Sequence, residues 1–222
     1  MNTLTSVQVP VGTEWLEGDL ALLDRARGVV VFAHGSGSGR HSPRNQSVAR
    51  FLQNNGLETL LIDLLTGAEE QADRQTAEYR FDLDLLAERL VAIVDWVRDR
   101  DDVGTLPIGL FGASTGAGAA LMAAASRPDV IAAVVSRGGR PDLAGNSLLS
   151  VIAPTLLIVG SRDQAVVRLN ENAMKQMRGE VELRTVPGAS HLFEEPGKLQ
   201  QVSTLASEWF AHHFASTNPR GK

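Results

Sequence analysis

Val7, Val9 and Val11 alternate with polar residues, and a second extended segment, Trp15 to Leu22, follows across a Gly-containing turn. Side chains of a strand point alternately to its two faces, so this pattern predicts an antiparallel pair at the start of the chain. The pattern then changes. Gly28 to Ala33 is an unbroken apolar run, bounded by charge before it and glycine after it, as expected of a strand covered on both faces. Glu58 to Ile62, Pro107 to Phe111, Val130 to Val135 and Thr155 to Val159 repeat that pattern. Val181 to Val186 is more polar and suits a place nearer an edge.

Between these runs the period lengthens. Leu86, Leu90, Ile93, Val94 and Val97 set one apolar stripe along a helix over Asp82 to Arg98, and Val202, Leu205, Trp209 and His213 form another near the carboxyl end. Helices are also expected at Arg44 to Asn54, Thr115 to Ala125 and Val166 to Met177. Two strands followed by alternating strand and helix predict an α/β fold, a mostly parallel sheet with helices on both faces. Right-handed crossovers then bring the functional loops to the carboxyl ends of the strands. Only about twenty residues separate the strands ending near Val135 and beginning near Thr155, enough for a loop and a short helix but too few for a lid domain. One domain over residues 1–215 is expected, with 216–222 a flexible tail.

Composition narrows the class. With 222 residues, 43% of them apolar, the chain has ample material for one buried core. Twenty-six acids against 21 bases give a net charge of −5 and no basic stripe, which excludes nucleic acid as an expected partner. There is no cysteine, so disulfides, thiolate metal sites and a Cys nucleophile are ruled out, and a reducing compartment is compatible. No apolar stretch approaches the ~20 residues that span a bilayer, and Met1 to Gly12 lacks the basic and apolar regions of a leader. A cytoplasmic, unprocessed protein is expected, with no membrane partner, no cofactor and no metal; oligomeric state is left open. His212 and His213 are adjacent on a helix, hence about 100° apart around it, a poor metal pair.

The chemistry concentrates at strand ends. Gly112-Ala113-Ser114-Thr115-Gly116 follows a buried strand and opens an Ala-rich helix, the setting of a nucleophile elbow. A serine on so sharp a turn adopts a strained backbone, and the flanking glycines let strand and helix approach without Cβ clashes. His34-Gly35-Ser36-Gly37-Ser38-Gly39 ends the first buried strand, a loop able to aim a backbone amide at an oxyanion. The Ser36 amide is favoured, paired with that of Thr115. A phosphate loop would need Lys-Ser/Thr after its last glycine, where Arg40-His41 stands. Asp163 and His191 then follow later strands in the order that a Ser, Asp, His triad requires, with Asp142 as the substitute acid. His191 as base predicts acylation that falls at acidic pH with an apparent pKa of roughly 6 to 7. Arg137, Arg140, Arg40 and Arg44 stand near these loops and could hold a carboxylate or phosphate on the substrate; Arg137 is the candidate substrate binder, with solvated arginines or a pair to Asp142 at least an equal alternative. His41 is a rim residue, and Leu64 to Arg80 shapes the pocket.

Together these elements resemble the α/β-hydrolase superfamily, and within it the dienelactone-hydrolase-like branch. The resemblance runs from Ser6 to Phe214 and rests on the His34 to Gly39 loop, the Gly112 to Gly116 elbow, Asp163 and Pro187 to Phe193. Ser136 to Leu143 and His191 to Gly197 look like the small hydrolase domains found alone or joined to phosphoribosyltransferases. The resemblance implies a sheet of about eight strands and the triad Ser114, Asp163, His191. Dienelactone hydrolases proper use a Cys nucleophile and place a glutamate beside the oxyanion loop; here Ser114 and His34-Gly35 occupy those places. The implied reaction is cleavage of a small carboxylester, lactone or thioester through a serine acyl-enzyme. Two other readings stand beside it. One is a non-catalytic hydrolase-fold binding module. The other is a dinucleotide-binding reductase, since Gly112-x-x-x-Gly116-x-Gly118 fits a glycine fingerprint, although Tyr79 has Leu83 and no lysine four residues on.

Overall fold

The computed structural model describes residues 2–217. β1 (Asn2–Val11) and β2 (Glu14–Leu23) pair antiparallel across the Gly12 turn, with Val9 opposite Leu16, and β2 lies antiparallel to β4 (Glu58–Ile62). The remaining strands are parallel: β3 (Val29–Ala33), β5 (Ile108–Ala113), β6 (Ile131–Arg137), β7 (Thr155–Gly160) and β8 (Val181–Val186). The open sheet has the order β1-β2-β4-β3-β5-β6-β7-β8. Residues Val29 to Ala33 and Ile108 to Ala113 are buried throughout, which explains their unbroken apolar runs, while at the edge β8 buries only Val186 fully.

Each face has its own helices. On one, α3 (Leu83–Arg98) packs Leu90, Ile93, Val94 and Val97 against Val31 and Leu110, beside α4 (Thr115–Ser126). On the other, α1 (Pro43–Asn54) and α6 (Lys198–Thr217) pack Leu52, Phe210 and Phe214 against Phe32 and Phe111, whose ring centroids are 4.8 Å apart. Burying each such large apolar side chain is worth about 1.5–3 kcal/mol. α4 carries alanine and glycine nearly all round because it is buried nearly all round, so it shows no amphipathic stripe. The expected tail begins inside α6, which runs to Thr217; residues 218–222 lie outside the described residues.

Two elements were not legible as periodic patterns. α2 (Gly67–Thr76) occupies part of the pocket-shaping segment Leu64 to Arg80, and a 3-10 turn at Tyr79–Phe81 follows it. Between β6 and β7 the chain forms 3-10 turns over Pro141–Ser150, broken at Gly145, and no lid domain. α5 (Gln164–Met174) precedes β8. No helix among the described residues is long and apolar enough to cross a membrane.

Candidate active site

Ser114 sits between β5 and α4 with φ 51° and ψ −121°, a backbone that L-residues rarely adopt. The turn is that tight because its neighbours have no Cβ. A Cβ on Gly112 would lie 2.4 Å from the Ala117 Cα, and one on Gly116 would lie 2.3 Å from the Ala33 carbonyl oxygen. The side chain therefore stands at the carboxyl edge of the sheet, half-buried, with the first turn of α4 behind it. The amides of a helix's first turn have no partner within the helix, and Thr115 opens α4.

Gly35 lies beside the nucleophile; a Cβ there would come within 3.1 Å of the Ser114 Cβ. The loop is anchored through His34, whose Nε2 accepts the Leu64 N–H at 2.9 Å while Nδ1 lies 3.0 Å from the Gly35 carbonyl oxygen. This is a neutral imidazole, and burial pushes its pKa below the ordinary histidine value. The next residue of the loop, Ser36, donates its N–H to the Thr115 hydroxyl at 2.9 Å. The two residues expected to stabilise an oxyanion are thus tied to each other.

On the opposite side, His191 Nδ1 lies 2.7 Å from Asp163 Oδ2. Asp163 also caps α5, with Oδ1 accepting the Val166 N–H at 3.4 Å, so the positive end of that helix faces its carboxylate. The loop carrying His191 passes directly over the end of β7, because Gly160 has no Cβ to meet the Ser190 and Ala189 carbonyls about 2.4–2.5 Å away. Glu195 pins it by accepting the Ser190 N–H at 3.0 Å, and Phe193 (φ 57°) buries its ring beneath it. Backbone links join the two halves. Ser114 N–H donates to the Arg137 carbonyl at 3.2 Å, and a Cβ on the following Gly138 would lie 3.6 Å from His191 Cε1.

Asp142 lies elsewhere, in a bidentate pair with Arg140 at 2.7–2.8 Å. Arg40 is held by Asp63 and Glu17, and His41 is exposed. Arg137 remains close to the nucleophile, with no such partner. A cavity of about 330 Å³ opens on the other side of Ser36 and Thr115, walled by Leu65, Glu70, Asp73 and Arg80. Arg80 donates to Asp73 at 2.6 Å, and Arg89 forks onto Glu69 with both bonds at 2.7 Å, fixing α2 as that wall. Those pairings hold the Asp73 and Glu69 carboxyls below the usual carboxylate range, the Arg89 bond first among the causes for Glu69. The hint of α2 in the sequence was the Thr66-x-x-Glu69 capping box, which the structure forms in both directions.

This fold, with a serine elbow over a mostly parallel sheet, defines an α/β-hydrolase domain. The chain belongs to the alpha/beta hydrolase domain family, whose model matches residues 26–213, in its dienelactone-hydrolase-like branch. A solved structure named dienelactone hydrolase, from Anabaena variabilis ATCC 29413, is 55% identical with a TM-score of 0.94 over 96% of this chain and 98% of that one. Est1E from Butyrivibrio proteoclasticus shares the fold at 18% identity, with a TM-score of 0.78 over 95% of this chain and 99% of that one. A Mycobacterium tuberculosis protein that carries the name of a phosphoribosyl transferase is 54% identical over 215 residues, 97% of this chain and 48% of its own length. The chain spans about half the length of the curated relatives it matches.

Proposed function

We propose that the protein is a serine hydrolase acting on a small ester-like substrate, a carboxylester, lactone or thioester. The observation that carries this reading is the 2.7 Å contact of His191 with Asp163 on the same sheet edge as the strained Ser114. In this reading the Ser114 Oγ bonds to the carbonyl carbon while its proton passes to His191 Nε2. Asp163 holds the imidazole with Nδ1 protonated and stabilises the imidazolium. The bond to the leaving group breaks as His191 returns the proton to it, leaving an acyl-enzyme. A water deprotonated by His191 then releases the acid and restores Ser114.

The Ser36 and Thr115 amides are the proposed oxyanion donors, each typically worth about 2.7–4 kcal/mol of transition-state stabilisation. For Ser36 the N–H must turn from the Thr115 hydroxyl, which lies 2.9 Å away, toward the substrate. Arg137 is the proposed substrate binder. In this reading the reaction uses no cofactor or metal, and the protein acts in the cytoplasm. The relatives named dienelactone hydrolase and phosphoribosyl transferase favour a small-molecule substrate.

The packing of the elbow glycines weighs against a dinucleotide reductase. Gly116 faces the Ala33 and His34 carbonyls, and Gly118 faces Leu143 and Leu83, so protein fills the approaches that a pyrophosphate needs. Absence of NAD(P)H fluorescence enhancement is expected. A fluorophosphonate probe should label the folded protein at Ser114 and leave Ser114→Ala unlabelled. Failure of the folded wild type to react would favour the non-catalytic module.

A further inference from the structure

Arg89 shows how this fold treats a buried guanidinium: two bonds to Glu69 and a third to the Leu64 carbonyl at 2.8 Å. Arg137 is treated differently. It is only 9% exposed, its Nη1 is buried without a hydrogen-bond partner, and no carboxylate of the described residues pairs with it. Burial, and then the like charge of Arg44, push its pKa down to about 10, so it stays charged at neutral pH. A buried cation without a counter-ion is costly, and an unsatisfied buried donor commonly marks the place of an ion or ligand.

The register shows which face is involved. Arg137 lies opposite Ala113, two positions beyond the Val135 and Phe111 pair, on the side covered by α1 and α6. Its Cζ is 6.0 Å from the Phe111 ring centroid. α1 starts on this side. In its first turn Arg44 has a buried, unpartnered Nε. Arg44 Nη1 reaches Glu194 at 3.2 Å, but Glu194 is mostly exposed and such a surface pair contributes little. Two guanidiniums within electrostatic reach of each other, beside the amino end of a 12-residue helix, are left with one weakly held carboxylate between them.

A doubly charged oxyanion matches that arrangement better than a single carboxylate, because it balances both cations and offers several acceptor oxygens to the two guanidinium forks. We propose that Arg137 and Arg44, the latter on the first turn of α1, form a site for a phosphate group carried by the substrate. The proposal rests on the serine hydrolase reading for the bond that is cleaved, but not for the binding of phosphate. The Arg137 carbonyl accepts the Ser114 N–H, so the main chain that carries this guanidinium adjoins the elbow.

Two measurements test it. In the first, inorganic phosphate is titrated onto the wild type and Ser114→Ala, followed by thermal melting. Phosphate at saturation should raise both melting temperatures by roughly 4 °C or more, with the shift lost in Arg137→Gln, halved or lower in Arg44→Gln and partly restored in Arg137→Lys. In the second, kcat/KM is compared for p-nitrophenyl esters of 3-phosphonopropionic, succinic and butyric acids, which are similar in length. The phosphonate should be preferred at least tenfold over the butyrate, and the ratio should collapse in Arg137→Gln. No shift with phosphate in the wild type, or a shift that survives in Arg137→Gln, overturns the site. A preference for the succinate overturns its assignment to a dianion. A protein that binds phosphate through Arg137 yet ignores fluorophosphonate overturns the hydrolase reading alone, and one that reacts but ignores phosphate overturns the anion site alone.

Discussion

The Ser36 N–H is bonded to the Thr115 hydroxyl at 2.9 Å, so the two proposed oxyanion donors are linked before any substrate arrives. The bond crosses from the glycine-rich loop after β3 to the first residue of α4, joining segments 79 residues apart in the chain. It positions the loop, and it also occupies a donor that the reaction needs.

Thr115→Val removes the acceptor and leaves the loop without its tether. A hydrogen bond of this kind is worth about 0.5–1.5 kcal/mol, so kcat on p-nitrophenyl butyrate should fall about 2- to 13-fold, with Thr115→Ser close to wild type. A Thr115→Val enzyme that is faster than wild type would show instead that the hydroxyl competes with the oxyanion for Ser36.

The φ of 51° at Ser114 is stored strain. Ser114→Ala keeps a Cβ at that position and Ser114→Gly does not. Both lose the hydroxyl, so comparing the two isolates the backbone. Strain of about 1–3 kcal/mol, less the entropy glycine loses on folding, leaves Ser114→Gly about 1 kcal/mol more stable than Ser114→Ala in denaturant melts. Equal midpoints would mean that the elbow is unstrained.

Asp163→Asn keeps an oxygen able to accept the Val166 N–H, so helix α5 stays capped and the melting temperature should change little. The contact with His191 loses its charge and its tautomer preference. Hydrolysis should fall on the order of a thousandfold or more. A loss of less than tenfold would remove Asp163 from the proposed triad.

His34 supplies a pH prediction. Its pKa in the folded protein lies below the ordinary value near 6.5 because burial disfavours the charged ring. Below that pH the unfolded chain binds the proton and the folded one resists it, so stability falls as pH drops from about 6.5 toward the depressed folded value. Denaturant midpoints from pH 7.5 to 5.5 should slope downward in the wild type and flatten in His34→Gln. An unchanged slope in that variant would assign the effect to other groups.

The strands and the long amphipathic helices were legible because their burial is one- or two-sided and regular. Gly28 to Ala33 and the stripe from Leu86 to Val97 each face packing that repeats with the period of the backbone. α2 was silent for the opposite reason. Only Asp73 of its residues is buried, so no apolar stripe exists, and its one local signal was the cap at Thr66 and Glu69. Along the chain Asp163 is favoured and Asp142 kept only as a substitute, since each follows a strand; in the structure Arg140 claims Asp142 and His191 meets Asp163. Glu195, Gly160 and the tether between Ser36 and Thr115 carried no readable signal, because each acts on a residue brought near by folding.

The amino-acid sequence by itself determined the layered architecture, the glycine-flanked elbow and the order of serine, aspartate and histidine, because periodicity and turn chemistry are local properties of a backbone. Tertiary structure alone decided which carboxylate reaches His191, that the Ser36 amide rests on Thr115, and that Arg137 is buried beside Arg44 without a counter-charge. These depend on distances between segments far apart in the chain, and on which charges are left unpaired once the sheet and helices have closed around them.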